Sequence, residues 1–359
     1  MKRSEEVPPR QSIIARACAC MREAFTGVFA QREPQSPGFE RVVDTEEVTT
    51  TRAYQGVRVD GLVDNESDWN LLESVFAGLR IPTKAVVVLR KLGYGSFGDV
   101  FLGHYNDREV IIKCAKAGYR QNAKDIDLFC QDIRLMATLE HLKITAFLGV
   151  SWDSPLSINV LAEYLSGGTL YTLLYKSQQT LLWSTEKLSI ATDVIEALTY
   201  LHSKQPVVTH RNLSSRSVLL SNDGAAKLDV FKVQQRDPEP RLAAGMSSSV
   251  LWMAPEALIG EPWTEKADVY SFGVLLSELD TRQVPFSSLR DDSGMRQSLM
   301  RTIVMIVKRH LKAELSPDCP PELKELAELC MAYDPTDRPT AVQVATTLRT
   351  RAAPSLQTT

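Results

Sequence analysis

The chain lacks the long hydrophobic runs, paired cysteine motifs and charge excess that mark several common classes of protein. No stretch approaches the roughly 18 consecutive apolar residues of a membrane helix, and no secretory leader with a cleavage site is found. The six cysteines include no Cys-x-x-Cys pair, which disfavours a zinc site. The net charge is only −3, so the composition does not predict nucleic acid or an acidic membrane as a partner. We therefore expect a cytoplasmic protein without an integral membrane span.

The composition is that of a folded chain with additional segments at its N-terminal end. Of the 359 residues, 44% are apolar and 24% are charged, which is typical of a globular protein with a buried core. Residues 13–29 have a helical period with one apolar face, and residues 31–66 have the composition of a linker. A second helical pattern covers residues 68–79. Its apolar face, which includes Trp69 and Phe76, predicts that this helix packs on the domain that follows.

Two spaced motifs predict a nucleotide site. The run Gly93-Tyr94-Gly95-Ser96-Phe97-Gly98-Asp99-Val100 matches G-x-G-x-x-G-x-V, in which glycines let a tight turn expose backbone N–H groups to phosphates. Fifteen residues after the last glycine, Val110-Ile111-Ile112-Lys113 ends a second predicted strand. The pair of motifs is much more specific than the glycine pattern alone. The candidate nucleotide-binding residues here are Gly93, Gly95, Gly98, Val100 and Lys113.

Four further motifs follow in a fixed order: Glu163-Tyr164-Leu165, Trp252-Met253-Ala254-Pro255-Glu256, Asp268-Val269-Tyr270-Ser271-Phe272-Gly273 and Asp337-Arg338-Pro339. With the two motifs above, they resemble those of a protein kinase domain, most closely the tyrosine-kinase-like group of Ser/Thr kinases. The resemblance implies an α+β fold of two lobes. A small antiparallel β lobe with one helix, αC, is hinged to a larger, mainly α-helical lobe.

The resemblance also divides the chain and assigns roles. It places the kinase-like domain at residues 86–350, with the small lobe at 86–164 and the large lobe at 165–350. Residues 1–85 are then an N-terminal extension with short helices and a linker, and residues 351–359 are a tail.

By the same resemblance, Lys113 contacts the phosphates of ATP and pairs with an acid on helix αC. Asp132 stands where the family has Glu, and because its side chain is shorter by one methylene we expect this ion pair to be weakened unless the helix moves inward. Glu163 and Leu165 belong to the hinge that holds adenine. Arg338 pairs with Glu256.

The catalytic loop departs from the family pattern H-R-D-L-x-x-x-N. It reads His210-Arg211-Asn212-Leu213 and ends at Ser217. In the family the Asp receives the substrate proton and the final Asn holds a magnesium ion. Asn212 cannot accept a proton at neutral pH, so we expect the catalytic position to be degraded.

The second metal position is changed as well. In the family the metal-binding Asp of D-F-G follows the catalytic-loop Asn by thirteen positions, which from Ser217 leads to Val230, followed by Phe231. We therefore expect no metal site and no magnesium, while ATP remains the cofactor that the glycine motif and Lys113 imply. Asp229 lies one place early, and alternation along an extended segment predicts that it faces away from the cleft unless the register slips by one residue.

Three interpretations follow. The first is a pseudokinase-type signalling protein that acts as a scaffold or allosteric regulator of other signalling proteins, including an active kinase, with metal-independent ATP binding retained. The second is an active Ser/Thr kinase with non-standard catalytic residues, and the third is a nucleotide sensor.

Two residues change the volume of the adenine pocket: Ile111, where the family has alanine, and Ala162, which precedes the hinge. The sequence therefore leaves open whether ATP binds.

Overall fold

The computed structural model describes residues 74, 76–94, 98–115, 123–153, 158–231, 249–291 and 293–352. Within them the N-terminal part of the domain is a five-stranded antiparallel sheet with the order β1-β2-β3-β5-β4. The strands are β1 (Val87–Tyr94), β2 (Gly98–Tyr105), β3 (Arg108–Ala115), β4 (Phe147–Ser151) and β5 (Asn159–Glu163). The strand predicted around Val110–Lys113 is confirmed as part of β3.

The register of the sheet positions the cleft residues. Val100 on β2 lies directly opposite Lys113 on β3, and Ile111 lies directly opposite Ala162 on β5. Residues opposite each other in an antiparallel pair share one face. The large Ile111 and the small Ala162, each 8% exposed, therefore lie side by side on one face of the sheet.

One helix packs against this sheet. Helix α1 spans Ala123–Ala137. Its residues Cys130, Ile133 and Met136 are buried in the core, and their spacing of three places them on one helical face. This face holds α1 against the sheet and corresponds to helix αC of the resemblance.

The large lobe is mainly helical. Its helices are α2 (Leu170–Lys176), α3 (Glu186–His202), α4 (Pro255–Leu258), α5 (Glu265–Thr281), α6 (Leu299–Val307), α7 (Pro321–Cys330) and α8 (Ala341–Thr347). A small three-stranded sheet, β6 (Gly168–Thr169), β7 (Val218–Leu220) and β8 (Ala226–Leu228), lies in the order β6-β7-β8. Helix α5 is buried from Ala267 to Leu279 without interruption, so it is the central element on which the lobe is built.

The segment before β1 contacts the far edge of the sheet. Phe76 is fully buried and belongs to the same hydrophobic core as α1 and β4. Arg80 forms a parallel bridge with Val150, and the N–H of Ile81 donates to the carbonyl of Val150 at 2.7 Å. This close approach needs Gly149, where a Cβ would lie 2.6 Å from the carbonyl oxygen of Leu79.

The predicted packing of the 68–79 helix can be followed only in part. Residues 77–79 form a short 3-10 helix, and Phe76 lies on the small lobe as expected. Trp69 lies outside the described residues, as do the 13–29 pattern and the 31–66 linker. None of the helices in the described ranges combines the length and apolar content needed to cross a membrane.

Candidate active site

An ion pair spans the cleft between the lobes. The Nζ of Lys113 lies 2.7 Å from each carboxylate oxygen of Asp229, and the two side chains are only 10% and 23% exposed. The resemblance implied that Lys113 pairs with Asp132 on α1. Among the described residues, the carboxylate recorded against Lys113 is instead that of Asp229, which follows β8 in the large lobe.

The position of Asp229 corrects the sequence prediction that it faces away from the cleft. Alternation does hold along this segment, since Ala226, Leu228 and Val230 are buried in the core. Lys227 and Asp229 therefore share the other face, and that face looks toward the small lobe. Lys227 confirms the direction, because its Nζ lies 2.7 and 2.9 Å from the carboxylate oxygens of Glu163 on β5.

The side chain of Asn212, which the resemblance puts at the catalytic-base position, is engaged. The hydroxyl of Ser249 donates to its Oδ1 at 2.5 Å, and Ser249 itself is only 7% exposed. A neutral amide oxygen accepts a hydrogen bond but does not take up a proton. The group at this position can therefore orient a hydroxyl without acting as its base.

The backbone of the catalytic loop is held from below by the central helix. The N–H groups of His210 and Arg211 donate to the two oxygens of Asp268 on α5 at 2.7 and 2.9 Å. Burial by itself would raise the pKa of Asp268, but hydrogen bonding from His202 and His210 lowers its pKa on balance. Arg211 has a φ of +61°, a strained value for a residue with a side chain. The surrounding bonds fix this loop in one conformation.

His210 connects the loop to the segment that carries Asp229. Its Nε2 lies 3.0 Å from the carbonyl oxygen of Asp229, and the N–H of Asp229 donates to the carbonyl of Ser217 at 2.8 Å. Burial lowers the pKa of His210, which favours the neutral ring. The backbone on both sides of the Asp229 carboxylate is thus fixed.

A buried ion pair connects α4, which carries Glu256, to the segment before α8, which carries Arg338. Two guanidinium nitrogens of Arg338 lie 2.6 and 2.8 Å from the two carboxylate oxygens of Glu256. Arg338 is 2% exposed, and it also donates to the carbonyls of Ala332, Lys266 and Tyr333. The pairing of Arg338 with Glu256 that the resemblance implied is confirmed.

The protein family that the chain matches agrees with this arrangement of residues. A model of the family described as protein tyrosine and serine/threonine kinase matches residues 86–348. The chain belongs to the protein kinase family.

Its relatives among curated proteins are similar over the same region. The serine/threonine-protein kinase CTR1 of Arabidopsis thaliana is 30% identical over 271 residues, 75% of this chain and 32% of that protein. The tyrosine-protein kinase csk-1 of Caenorhabditis elegans is 31% identical over 281 residues, 77% of this chain and 49% of that protein. The serine/threonine-protein kinase STY17 of Arabidopsis thaliana is 28% identical over 264 residues, 74% of this chain and 44% of that protein. The chain thus spans about a third to a half of the length of these relatives.

Protein kinases generally bind ATP between their two lobes, and the structure describes four of the five nucleotide-binding residues predicted from the glycine and lysine motifs. Val100 shares a face with Lys113, and Gly93 has a φ of +154°, which lies at the margin of the region that favours glycine. Gly98 begins β2, while Gly95 lies outside the described residues.

The hinge of this kinase domain follows β5. The Glu163 carboxylate accepts from Lys227 and, at 2.9 Å, from the N–H of Ala146. The carbonyl of Leu165 accepts from the N–H of Gly168 at 3.3 Å. Both residues are placed where the β lobe joins the helical lobe.

The two residues that the resemblance puts at the metal-ligand positions, Ser217 and Val230, are both buried. The Ser217 hydroxyl, 6% exposed, lies 3.0 Å from the carbonyls of Asn212 and Ser214 and accepts from the N–H of Ser214. Val230 is 4% exposed in the apolar core. Magnesium is bound through carboxylate and other hard oxygen ligands; Val230 has no such atom, and the one hydroxyl oxygen of Ser217 is engaged with the backbone of its own loop. In the described part of the chain, no three His, Cys, Asp or Glu side chains are grouped to hold a metal.

Sequence reasoning missed a buried carboxylate beneath the catalytic loop. Glu278 on α5 accepts hydrogen bonds from the Tyr175 hydroxyl at 2.6 Å and the Trp252 indole N–H at 2.8 Å, and from the Ser215 hydroxyl. Burial raises the pKa of Glu278 to about 7, against the opposing effect of these three donors. Four separate segments of the domain meet at this carboxylate. Because the donors lie 26 to 103 residues away, no local pattern could reveal it.

Proposed function

We propose that this kinase-family protein is a pseudokinase, which acts by binding other signalling proteins as a scaffold or allosteric regulator rather than by transferring phosphate. The observation that carries the proposal is the contact between Asn212 and Ser249. At the position of the catalytic base there is a neutral amide, and its oxygen is occupied by a buried hydroxyl.

The losses in the cleft act on the main sources of phosphoryl-transfer rate. General base catalysis contributes about 10²–10⁴ in rate, and Asn212 does not provide it. Metal ions stabilise the transferring phosphoryl group by several kcal/mol, and Ser217 and Val230 supply no carboxylate for them. The contributions are not strictly additive. A kinase turnover of about 1–100 s⁻¹ would still fall below what a signalling pathway can use.

The binding shape of the domain is retained while its chemistry is lost. Asp268 still holds the catalytic-loop backbone, and Arg338 still pairs with Glu256. These contacts do not take part in phosphoryl transfer. Because these contacts are retained, the domain keeps the surface of a kinase. A partner such as an active kinase would recognise that surface.

A phosphate-transfer assay tests the proposal. Purified protein is incubated with labelled ATP, magnesium or manganese, and generic Ser/Thr and Tyr substrates, beside its Lys113→Met variant. We expect the two proteins to give the same background incorporation. A triple variant, Asn212→Asp with Ser217→Asn and Val230→Asp, restores the family residues and shows whether the remaining fold supports transfer. Incorporation by the unmodified protein that disappears with Lys113→Met would overturn the proposal.

One observation favours a second candidate function, an active Ser/Thr kinase with non-standard residues. Asp229 places a carboxylate 2.7 Å from Lys113, inside the cleft. If this carboxylate replaced the missing metal ligand, ATP would stabilise the protein only with magnesium, and phosphate would be incorporated. Thermal-shift titration with ATP, with magnesium and with EDTA, separates the two functions when read beside the transfer assay.

A further inference from the structure

We propose that Asp229 is an internal counter-ion that occupies the phosphate position of the cleft, so that the cleft selects uncharged nucleoside-like ligands over nucleotides. The inference rests on the proposed function, since it specifies the ligand class of the same cleft. Asp229 is not at the family's metal-ligand position, which Val230 occupies in the core. The role assigned to it is therefore a property of this chain.

The charge of Lys113 is already balanced within the protein. Both carboxylate oxygens of Asp229 lie 2.7 Å from its Nζ, and the ring of Phe231 lies beneath the same nitrogen, 4.2 Å from ring centroid to Nζ. Lys113 is 8% exposed. A phosphate that approached this lysine would have to replace a carboxylate that is held by two contacts of near-ideal length.

The displaced carboxylate could not move far from the phosphate. The N–H of Asp229 is bonded to the carbonyl of Ser217, and its own carbonyl is bonded to His210. Since the backbone is fixed on both sides, only the two side-chain torsions of Asp229 can change. The carboxylate would remain within a few ångströms of a polyphosphate and repel it.

Lys227 does not supply the positive charge that a phosphate would need in this cleft. Lys227 pairs with both oxygens of Glu163. Lys113 on β3 and Lys227 on β8 are therefore each matched by a carboxylate, so neither brings an unbalanced positive charge to an anionic ligand. An aromatic, uncharged ligand meets no such penalty, because it binds between the lobes without approaching Lys113.

The test compares the affinities of adenosine and ATP, measured by titration calorimetry for three proteins. The first is the unmodified protein and the second is its Asp229→Asn variant, which keeps the shape but removes the charge. The control is Glu196→Gln, which makes the same change of charge at an exposed ion pair with Arg349. ATP is measured in EDTA and again with magnesium.

We expect the unmodified protein and the control to bind ATP no more tightly than adenosine. In Asp229→Asn, the affinity for ATP in EDTA should rise at least about tenfold, since a like charge about 4 Å from a phosphate has been removed. Adenosine affinity should not change. An Asp229→Ala variant repeats the measurement with a second side chain, in case the asparagine forms a new bond to Lys113.

Three outcomes would overturn the inference. One is an unchanged ratio of ATP to adenosine affinity in both Asp229 variants. Another is magnesium-dependent ATP binding by the unmodified protein that the variants lose, which would make Asp229 a metal ligand. The third is that no protein binds adenosine at millimolar concentration. The first and third outcomes leave the proposed function intact, since that function fails only if phosphate is transferred.

Discussion

The ring of Phe76 lies 6.2 Å from the ring of Trp152, centroid to centroid, with the two planes tilted by 59°. Both side chains are buried, at 0% and 1% exposed. Tilted aromatic pairs at this distance are favourable beyond the apolar area they bury. The guanidinium of Arg80 lies 4.5 Å from the centroid of the same indole. A residue that precedes the family match thus completes the core behind helix α1.

Replacing Phe76 by alanine should lower the free energy of unfolding by about 3–5 kcal/mol, because a large cavity would remain beside Trp152. Urea unfolding followed by tryptophan fluorescence measures the change. Leu142→Ala is the control, since Leu142 is 84% exposed and its removal should cost no more than about 0.5 kcal/mol. Equal effects of the two substitutions would show that Phe76 does not contribute to the core in solution.

Arg338 and Glu256 allow a comparison of buried and exposed ion pairs in one domain. Arg338→Met should cost about 3–5 kcal/mol of unfolding free energy, because Glu256 would be left as an uncompensated buried charge. The double variant Arg338→Met with Glu256→Met should be less destabilised than the sum of the two single variants, and denaturant unfolding of all three measures this. Arg349→Met is the matched control, since its pair with Glu196 is exposed and worth about 0–1 kcal/mol. A similar loss in both arginine variants would contradict the expectation.

Glu278 predicts a pH dependence of stability. Its pKa is raised from the usual value of 4.5 to about 7 in the folded protein, mainly by burial. Between these two pH values the folded state holds more protons than the unfolded state, so this group's contribution to stability falls as the pH rises. Glu278→Gln removes that dependence. We therefore expect the stability of the variant relative to the unmodified protein to increase from pH 5 to pH 8.

Urea unfolding at pH 5, 6, 7 and 8 for both proteins measures the difference at each pH. The glutamine keeps one acceptor oxygen and puts an NH2 donor in place of the other, so at least one of the three donors loses its acceptor and the variant should be less stable at pH 5. The prediction concerns how the difference in unfolding free energy between the two proteins changes with pH, and not which protein is more stable at a single pH. A difference that stays constant over the four pH values would show that Glu278 does not titrate in this range.

Much of the architecture could be predicted because it depends on local patterns and fixed spacings. The fifteen residues from Gly98 to Lys113 place both on adjacent antiparallel strands, where the structure has them. The run Asn159–Glu163 reads as a strand and is one. The pairing of Arg338 with Glu256 followed from the family motifs. Each of these inferences needs only a short segment or a motif of known position.

The direction of Asp229 could not be obtained in this way. Alternation indicates which residues share a face, and it correctly separates Val230 from Asp229. It does not indicate which face is the core, and that depends on how β8 packs on the rest of the large lobe. The contact of Ser249 with Asn212 was missed for a related reason, because 37 residues separate the two side chains and no repeat connects them.

The bridge between Arg80 and Val150 has a practical consequence for work with shortened forms of this protein. A recombinant fragment that starts at Val86, where the family match begins, would leave the edge of β4 uncovered and the space of Phe76 empty. Uncovered sheet edges promote association between copies, so such a fragment could give binding signals that the intact chain does not have. Fragments for partner screening should begin upstream of Phe76.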